Sequence, residues 1–213
     1  MNRLRNARSL RQDLLLFRND DYLAINKPWG IETIAGKEIP KPLRMAMDQA
    51  GLTGDGSAPV PINSMKNSVS GVQLLSRHPA AGKLGRSMMK EGPFWRSKYW
   101  GIVSGRIAGK LSAGVVNVPI KDGHIASNGI PSITHWRILK YCDIHKLTLV
   151  EYEPRTNVED QILVHSECVL KAPIITDLGL HLVALTASLP NSMDISAPVR
   201  DEFKIKMQSL GWI

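Results

Sequence analysis

Apolar positions along this chain come in short runs separated by turn residues, the pattern of strands rather than of long helices. Residues 14–17 and 22–26 read as a hairpin turning at Asn19-Asp20-Asp21, and 133–141 with 147–152 as a second hairpin. Residues 72–75, 97–104, 115–118 and 180–186 read as further strands. Helical spacing is found at 43–50, 82–91, 158–170 and 198–210. In the third of these, Val158, Ile162, His165 and Val169 form a stripe, so one amphipathic helix is expected there, with His165 as a satisfied core histidine. The fourth has Ser196 as its candidate cap and Gly211 as its stop. Residues 51–61, rich in Gly and Pro, read as a loop. No internal repeat and no long linker divides the chain. The expectation is one α+β domain over 14–213, dominated by antiparallel strands, behind a basic N-terminal segment 1–13.

Composition sets limits on that domain. With 43% hydrophobic and 22% charged residues, the 213-residue chain is neither disordered nor fibrous and is long enough for a sizeable core. The most apolar stretch, 172–190, holds Asp177 and His181 between Pro173 and Pro190, so no transmembrane helix is expected. Cys142 and Cys168 form no Cys-x-x-Cys. His78, His124, His135 and His145 lack metal-ligand spacing, so no metal site is expected from them.

Charge changes the picture more. The formal net charge is +8, and residues 61–110 alone hold nine Lys/Arg against the single acid Glu91. The rest of the chain is near neutral. A concentrated cationic block attracts polyanions. Within it, Phe94, Trp95, Tyr99 and Trp100 interleave with Arg96 and Lys98, as stacking rings interleave with phosphate contacts in RNA binders. Lys83, Arg86 and Lys90 share one face of the helix expected at 82–91 and are read as phosphate contacts, against the plainer reading of a solvated face. Arg106 belongs to the same block. The first twelve residues contain four arginines and no acid, which suits either a mitochondrial targeting segment or a basic arm.

Three segments, in order, resemble the RluA-type RNA pseudouridine synthases. Residues 16–30, LFRNDDYLAINKPWG, are similar to that family's opening hairpin ending in Asn-Lys-Pro-x-Gly, here Asn26, Lys27, Pro28 and Gly30. Residues 63–76, NSMKNSVSGVQLLS, occupy the place of the catalytic segment His-Arg-Leu-Asp-x-x-Thr-Ser-Gly, followed by apolar residues, with Ser70, Gly71, Leu74 and Leu75 matching. Residues 154–177 resemble Pro-x-Thr-Gly-Arg-x-His-Gln-Ile-Arg-x-His followed by Pro-Ile-x-Gly-Asp, matched at Pro154, Thr156, Gln161, Ile162, His165, Pro173, Ile174 and Asp177. Tyr99 and Gly105 sit where the family has a Tyr-x-Ala-x-Val-x-Gly strand, and Leu180-His181 resembles its Leu-His-Ala strand. The resemblance covers about residues 14–212. It implies the pseudouridine synthase fold, a bent, mixed but mainly antiparallel sheet flanked by helices, with an RNA-binding cleft across one face. It also implies chemistry without metal or cofactor.

The departures from the family bear on function. Aligned on Ser70-Gly71, the family's catalytic Asp falls on Lys66, and the Arg that fills the stack after base flipping falls on Ser64. The motif's His becomes Asn63, the Arg that pairs with the catalytic Asp falls on Leu163, and the first His of the third motif becomes Asp160. Tyr99, which in the family stacks on the target base, is retained, as a base-stacking remnant or as a packing aromatic. An ammonium group has no carboxylate oxygen to act on the ribose, and its charge has the wrong sign for a developing oxocarbenium. A mitochondrial branch of the family combines a Lys at the Asp position with Asp-Gln-x-x-Val-His, as here.

The expectation is therefore an RNA-binding protein with a degenerate site. Its RNA contacts are expected at Lys66, Lys83, Arg86, Lys90, Arg96, Lys98, Tyr99 and Arg106. It would act on ribosomal RNA during mitochondrial ribosome assembly, with ribosomal proteins or assembly factors as further partners and without DNA or membrane. The alternatives are an active synthase using a relocated carboxylate such as Asp55 or Asp160, and a protein-binding scaffold. Lys27 is read as structural.

Overall fold

The computed structural model describes residues 13–53, 58–90, 95–107, 111–175, 179–187 and 193–213. The basic segment expected at 1–13 lies almost wholly outside them, as do Asp55, Phe94 and Asp177. The strands, in chain order, are β1 (Leu15–Arg18), β2 (Tyr22–Lys27), β3 (Val60–Pro61), β4 (Val69–Ser76), β5 (Trp95–Ser104) and β6 (Ala113–Asn117). They continue as β7 (Ile120–Lys121), β8 (His124–Ile125), β9 (Ile133–Cys142), β10 (Leu147–Pro154), β11 (Leu180–Ala187) and β12 (Met193–Ser196). The helices are α1 (Lys41–Gln49), α2 (Pro79–Lys90), α3 (Gln161–Val164, continued by a π turn at His165–Val169) and α4 (Asp201–Ser209).

One ten-stranded sheet runs in the order β1-β2-β4-β11-β5-β10-β9-β6, with β3 added to β4 and β12 to β11. All of its pairings are antiparallel except β4 with β11. That parallel ladder is short, pairing Val69, Ser70 and Gly71 with Leu180, His181 and Leu182. It is the seam between a left half (β1, β2, β3, β4) and a right half (β5, β6, β9, β10, β11, β12).

The two faces of the sheet are packed differently. On one, Ala24, Val72, Leu74, Leu182 and Leu185 form a cluster with Ala81 of α2, while Val103, Val150, Tyr152, Ile162 and Leu180 form a second cluster under α3. On the other face, α1 buries Leu43 and Met47 against Leu23, Ile25 and Leu75, and α4 buries Phe203 and Met207 against Ile102 and Leu149. Pro42 in the first turn of α1 is tolerated because that N–H has no helical acceptor, and Leu43 and Met47, four apart, make its buried stripe.

Gly71 is required at the seam. Its φ is +106°, and a Cβ there would lie 2.2 Å from the Leu182 carbonyl oxygen. The same residue breaks the side-chain alternation of β4: Val69, Val72 and Leu74 face the α2 side, while Ser70 meets His181 and Leu75 joins the α1 cluster. Two positions after Val69 would normally share its face; here the shared face resumes at three, because the unusual backbone at Gly71 turns the strand.

Several expectations need correction. Residues 158–170 are not one amphipathic helix: Val158 precedes it, and the π turn puts an extra residue into the turn after Val164. As a result His165 and Ser166 both point inward and Val169 turns outward, ending the expected stripe. Ser196 does not cap α4; it ends β12, and Arg200 occupies the N-cap position. Strands β3, β7, β8 and β12 were not expected, since two to four residues carry too little periodicity to be read. β3 lies within the segment expected to be loop.

Replacing Gly71 by Ala is expected to destabilise the protein by about 3 kcal/mol or more, through strain plus a backbone clash. Gly123, also at positive φ (+74°) but with nothing near its missing Cβ, should cost about 1 kcal/mol when changed to Ala. Urea unfolding of the two variants side by side separates the contact from the dihedral cost.

Candidate functional site

The site forms where the left and right halves of the sheet meet. Val69 and Tyr99 each pack at the margin of both face clusters, so they mark the junction. The loop 63–68 before β4 is fastened there by backbone and side-chain bonds. Gly30 N–H donates to Asn67 O at 2.8 Å, Thr33 and Met65 exchange backbone bonds, and Ala35 N–H donates to Ser64 Oγ at 2.9 Å. Asn63 Oδ1 accepts from Leu74 N–H and from Gln73 Nε2, at 2.9 and 2.8 Å. Thr33 Oγ1 donates to the Gln73 carboxamide oxygen. Asn63 and Ser64 thus hold the loop in place, a role that the motif comparison did not reveal.

Lys66 lies in this loop, 42% exposed, and its ammonium donates to Asp160 Oδ2 at 2.7 Å and lies 3.2 Å from Glu159 Oε1. The bond to Asp160 outweighs burial and holds the Lys66 pKa above its ordinary value, with Glu159 adding to the effect. Asp160 sits at φ +56° at the start of α3, a left-handed conformation that aspartate tolerates better than most residues. Gln161 stabilises this turn: its carboxamide oxygen accepts from Thr156 Oγ1, and its Nε2 donates to Ile133 O and Thr134 Oγ1. Leu163 is half-buried and packs on the right-hand cluster. Lys66 and Asp160 thus form a lysine–aspartate pair, with the aspartate three residues before Leu163.

Tyr99 is half-buried between Leu182 and Tyr152 on neighbouring strands, and burial raises its pKa. Beneath it Tyr152 is fully buried and bonded to Ser166 Oγ at 2.7 Å, and Ser166 Oγ donates to Ala172 O at 2.6 Å. His165, fully buried, bonds to Thr134 Oγ1 at 2.8 Å, and burial lowers its pKa. It is a core histidine, as expected. On the opposite face Ser70 Oγ meets His181 Nδ1 at 2.9 Å, and burial holds the His181 pKa down at about 4. Lys27 is fully buried and its ammonium donates to the Pro28 and Ile31 carbonyls, closing the turn after β2. Burial, then nearby Arg200, lowers its pKa to about 8.

The expected cationic contacts do not form one surface. Lys83 and Lys90 are exposed on α2; Arg86 is half-buried between them and runs alongside Gly36, whose missing Cβ would sit 3.5 Å from Arg86 Nε. Because Gly36 follows Ala35, which is bonded to Ser64, the basic side of α2 adjoins the loop that carries Lys66. Arg96 and Lys98 alternate with Tyr99 along β5 and so project from the opposite face. Lys98 there pairs with Glu153 at 3.4 Å. Arg106 lies beyond the other end of β5, over the Tyr141 ring at 5.3 Å. Of the described rings in that stretch, Trp95 and Tyr99 lie on the face opposite Arg96 and Lys98, while Trp100 shares the face of the two cations. Among the described residues no group of His, Cys, Asp and Glu is placed to hold a metal ion, and no helix is long and apolar enough to cross a membrane.

No family model matches the chain. Similar sequences include ribosomal large subunit pseudouridine synthase C of Rickettsia felis, 24% identical over 178 residues that cover 80% of this chain and 57% of that protein. The protein of the same name from Vibrio vulnificus is 25% identical over 162 residues, covering 73% and 49%. The chain spans about half the length of these curated relatives. Among solved structures, human RNA pseudouridylate synthase domain containing 4 superposes with a TM-score of 0.76 at 18% identity, over 96% of this chain and 95% of that one. Human RNA pseudouridylate synthase domain containing 1 does so with a TM-score of 0.67 at 17% identity, over 96% and 97%. The fold is that of the pseudouridine synthases. In sequence the chain is similar to proteins named ribosomal large subunit pseudouridine synthase C.

The Lys66–Asp160 pair is expected to be a modest link because Lys66 is substantially exposed. A double-mutant cycle of Lys66→Ala and Asp160→Ala should give a coupling of about 0.5–1 kcal/mol in urea unfolding at neutral pH. Since the folded state raises the Lys66 pKa above 10.5, this contribution is complete below that pH and is lost as pH rises through the folded value.

Proposed function

We propose that this chain binds RNA on a pseudouridine synthase fold without isomerising uridine. One observation carries the reading: the position of the family's catalytic carboxylate holds Lys66, and its ammonium is bonded to Asp160 at 2.7 Å. A carboxylate at that point would act on the ribose; an ammonium saturated by two acids has neither a lone pair to offer nor the charge to steady an electron-poor sugar. Leu163 agrees with this, since a guanidinium there would face Lys66 as a like charge.

RNA binding itself is supported by the excess of nine cations over one acid in residues 61–110 and by the adjacency of α2 to the Lys66 loop. The sequence relatives are named for the ribosomal large subunit, which favours ribosomal RNA as the RNA bound here. The proposed setting, ribosome assembly in a mitochondrion, rests on the likeness of Lys66 and Asp160-Gln161-Ile162-Leu163-Val164-His165 to the branch with a reversed pair. Ribosomal proteins or assembly factors are the proposed protein partners. A second reading, an active synthase using Asp160, is favoured by the names of the relatives and by the placement of that carboxylate beside Lys66. It would require Asp160 to leave Lys66.

Two outcomes are expected. Incubation with ribosomal RNA should yield no pseudouridine from the wild type or from Lys66→Asp, because the variant carboxylate lacks an arginine partner and Ser64 cannot hold a flipped-base gap open. Product from the wild type would instead support the second reading. Neutralising Lys83 and Lys90 together should weaken RNA binding and reduce the slope of log affinity against log salt by about 0.7–0.9 per lost phosphate contact. Titrations at several salt concentrations measure it, and an unchanged slope would remove α2 from the interface.

A further inference from the structure

We propose that Trp29 is a stacking platform for an unpaired nucleobase at the rim of the site, a proposal that rests on the RNA-binding reading. Trp29 is 45% exposed, and among the described Trp, Tyr and Phe residues it is the exposed one. The others are committed elsewhere: Trp136, Trp212, Tyr22, Tyr152 and Phe203 are buried, Phe17, Trp95 and Tyr99 pack on the α2-side cluster, Tyr141 is half-buried under Arg106, and Trp100 donates its N–H to Glu151 at 3.1 Å.

An indole left in water forgoes a large apolar burial, and the surroundings of Trp29 hold it in one place. The Arg200 guanidinium lies over its ring at 5.3 Å. That contact holds the side chain and covers one side of the ring with a cation, so a base would stack on the other. The indole edge runs past Gly179, whose missing Cβ would be 3.4 Å from Trp29 Nε1 and 2.0 Å from Ser68 O. Any side chain at 179 would collide with the 66–69 loop and crowd the ring. The next residue, Gly30, donates its N–H to Asn67 O at 2.8 Å. The platform is therefore tied by backbone bonds to the loop that carries Lys66.

A half-exposed indole with a guanidinium over one side, on a backbone fixed by hydrogen bonds, suits a single-stranded nucleotide. Every base has a π-face, so such a platform would not discriminate sequence. Paired bases are already stacked on their neighbours and offer no free face. The expected preference is for unpaired over duplex RNA.

Fluorescence anisotropy with a labelled single-stranded oligouridylate and a labelled RNA duplex tests this on the wild type, Trp29→Leu, Trp29→Phe and Lys83→Ala/Lys90→Ala. Leucine keeps apolar bulk without an aromatic face. Trp29→Leu should bind the oligouridylate about tenfold more weakly with an unchanged salt slope, and bind the duplex as the wild type does; Trp29→Phe should retain most of the affinity. Oligouridylate should also quench tryptophan emission in the wild type and not in Trp29→Phe, a measurement that does not depend on Trp29→Leu folding well. Wild-type affinity in Trp29→Leu, equal losses on both RNAs, or the same quench in Trp29→Phe would each overturn the platform. In those cases the Lys83→Ala/Lys90→Ala variant still reports on RNA binding by α2. A wild type that binds neither RNA overturns the RNA reading itself and the platform with it.

Discussion

The parallel ladder between β4 and β11 is the constraint on which the rest of the structure depends. It spans three residue pairs, and it joins the two halves of the main sheet. The approach is so close that only glycine fits at position 71, where a Cβ would meet the Leu182 carbonyl oxygen at 2.2 Å. The same geometry delivers the loop before β4, with Lys66, to the turn before α3, with Asp160. Those two residues are 94 positions apart in the chain and 2.7 Å apart in space. Strands from both halves contribute to the junction, so the site depends on the seam being closed.

At that junction a hydrogen-bonded loop carries one ionic contact. Asn63, Ser64, Gln73 and Thr33 hold the loop with hydrogen bonds that need no ionised group. The ionic contact above them joins Lys66 to Asp160 and Glu159, a locally acid-rich cluster. A negatively charged backbone would gain little directly there. It would gain more along the basic side of α2, whose Arg86 borders Gly36, and beside Arg200 at Trp29.

Most helices and long strands were legible from the sequence because each carries its own period or its own boundary. Leu43 and Met47 four apart, Gly211 after the last helix, and the polar turn between the apolar-rich segments 133–141 and 147–152 are local signals. The core role of His165 was legible too, because it falls on the apolar side of its helical stripe.

What the chain order could not decide was proximity and facing. The π turn at His165–Val169 redirects one stripe, since an extra residue in a turn is invisible to periodicity until Thr134 and Tyr152 draw His165 and Ser166 inward. Arg96, Lys98 and Tyr99 are neighbours in sequence and lie on opposite faces of β5, because a strand alternates its side chains. The partners of Lys66, the burial of Lys27 and the stacking of Arg200 on Trp29 all join residues far apart in the chain. The sequence by itself determined which residue types are present and where strands and helices run, because those follow from local pattern. Only the tertiary structure decided which charges meet and which ring stays exposed, because both depend on the closure of a sheet whose halves are joined by three residue pairs.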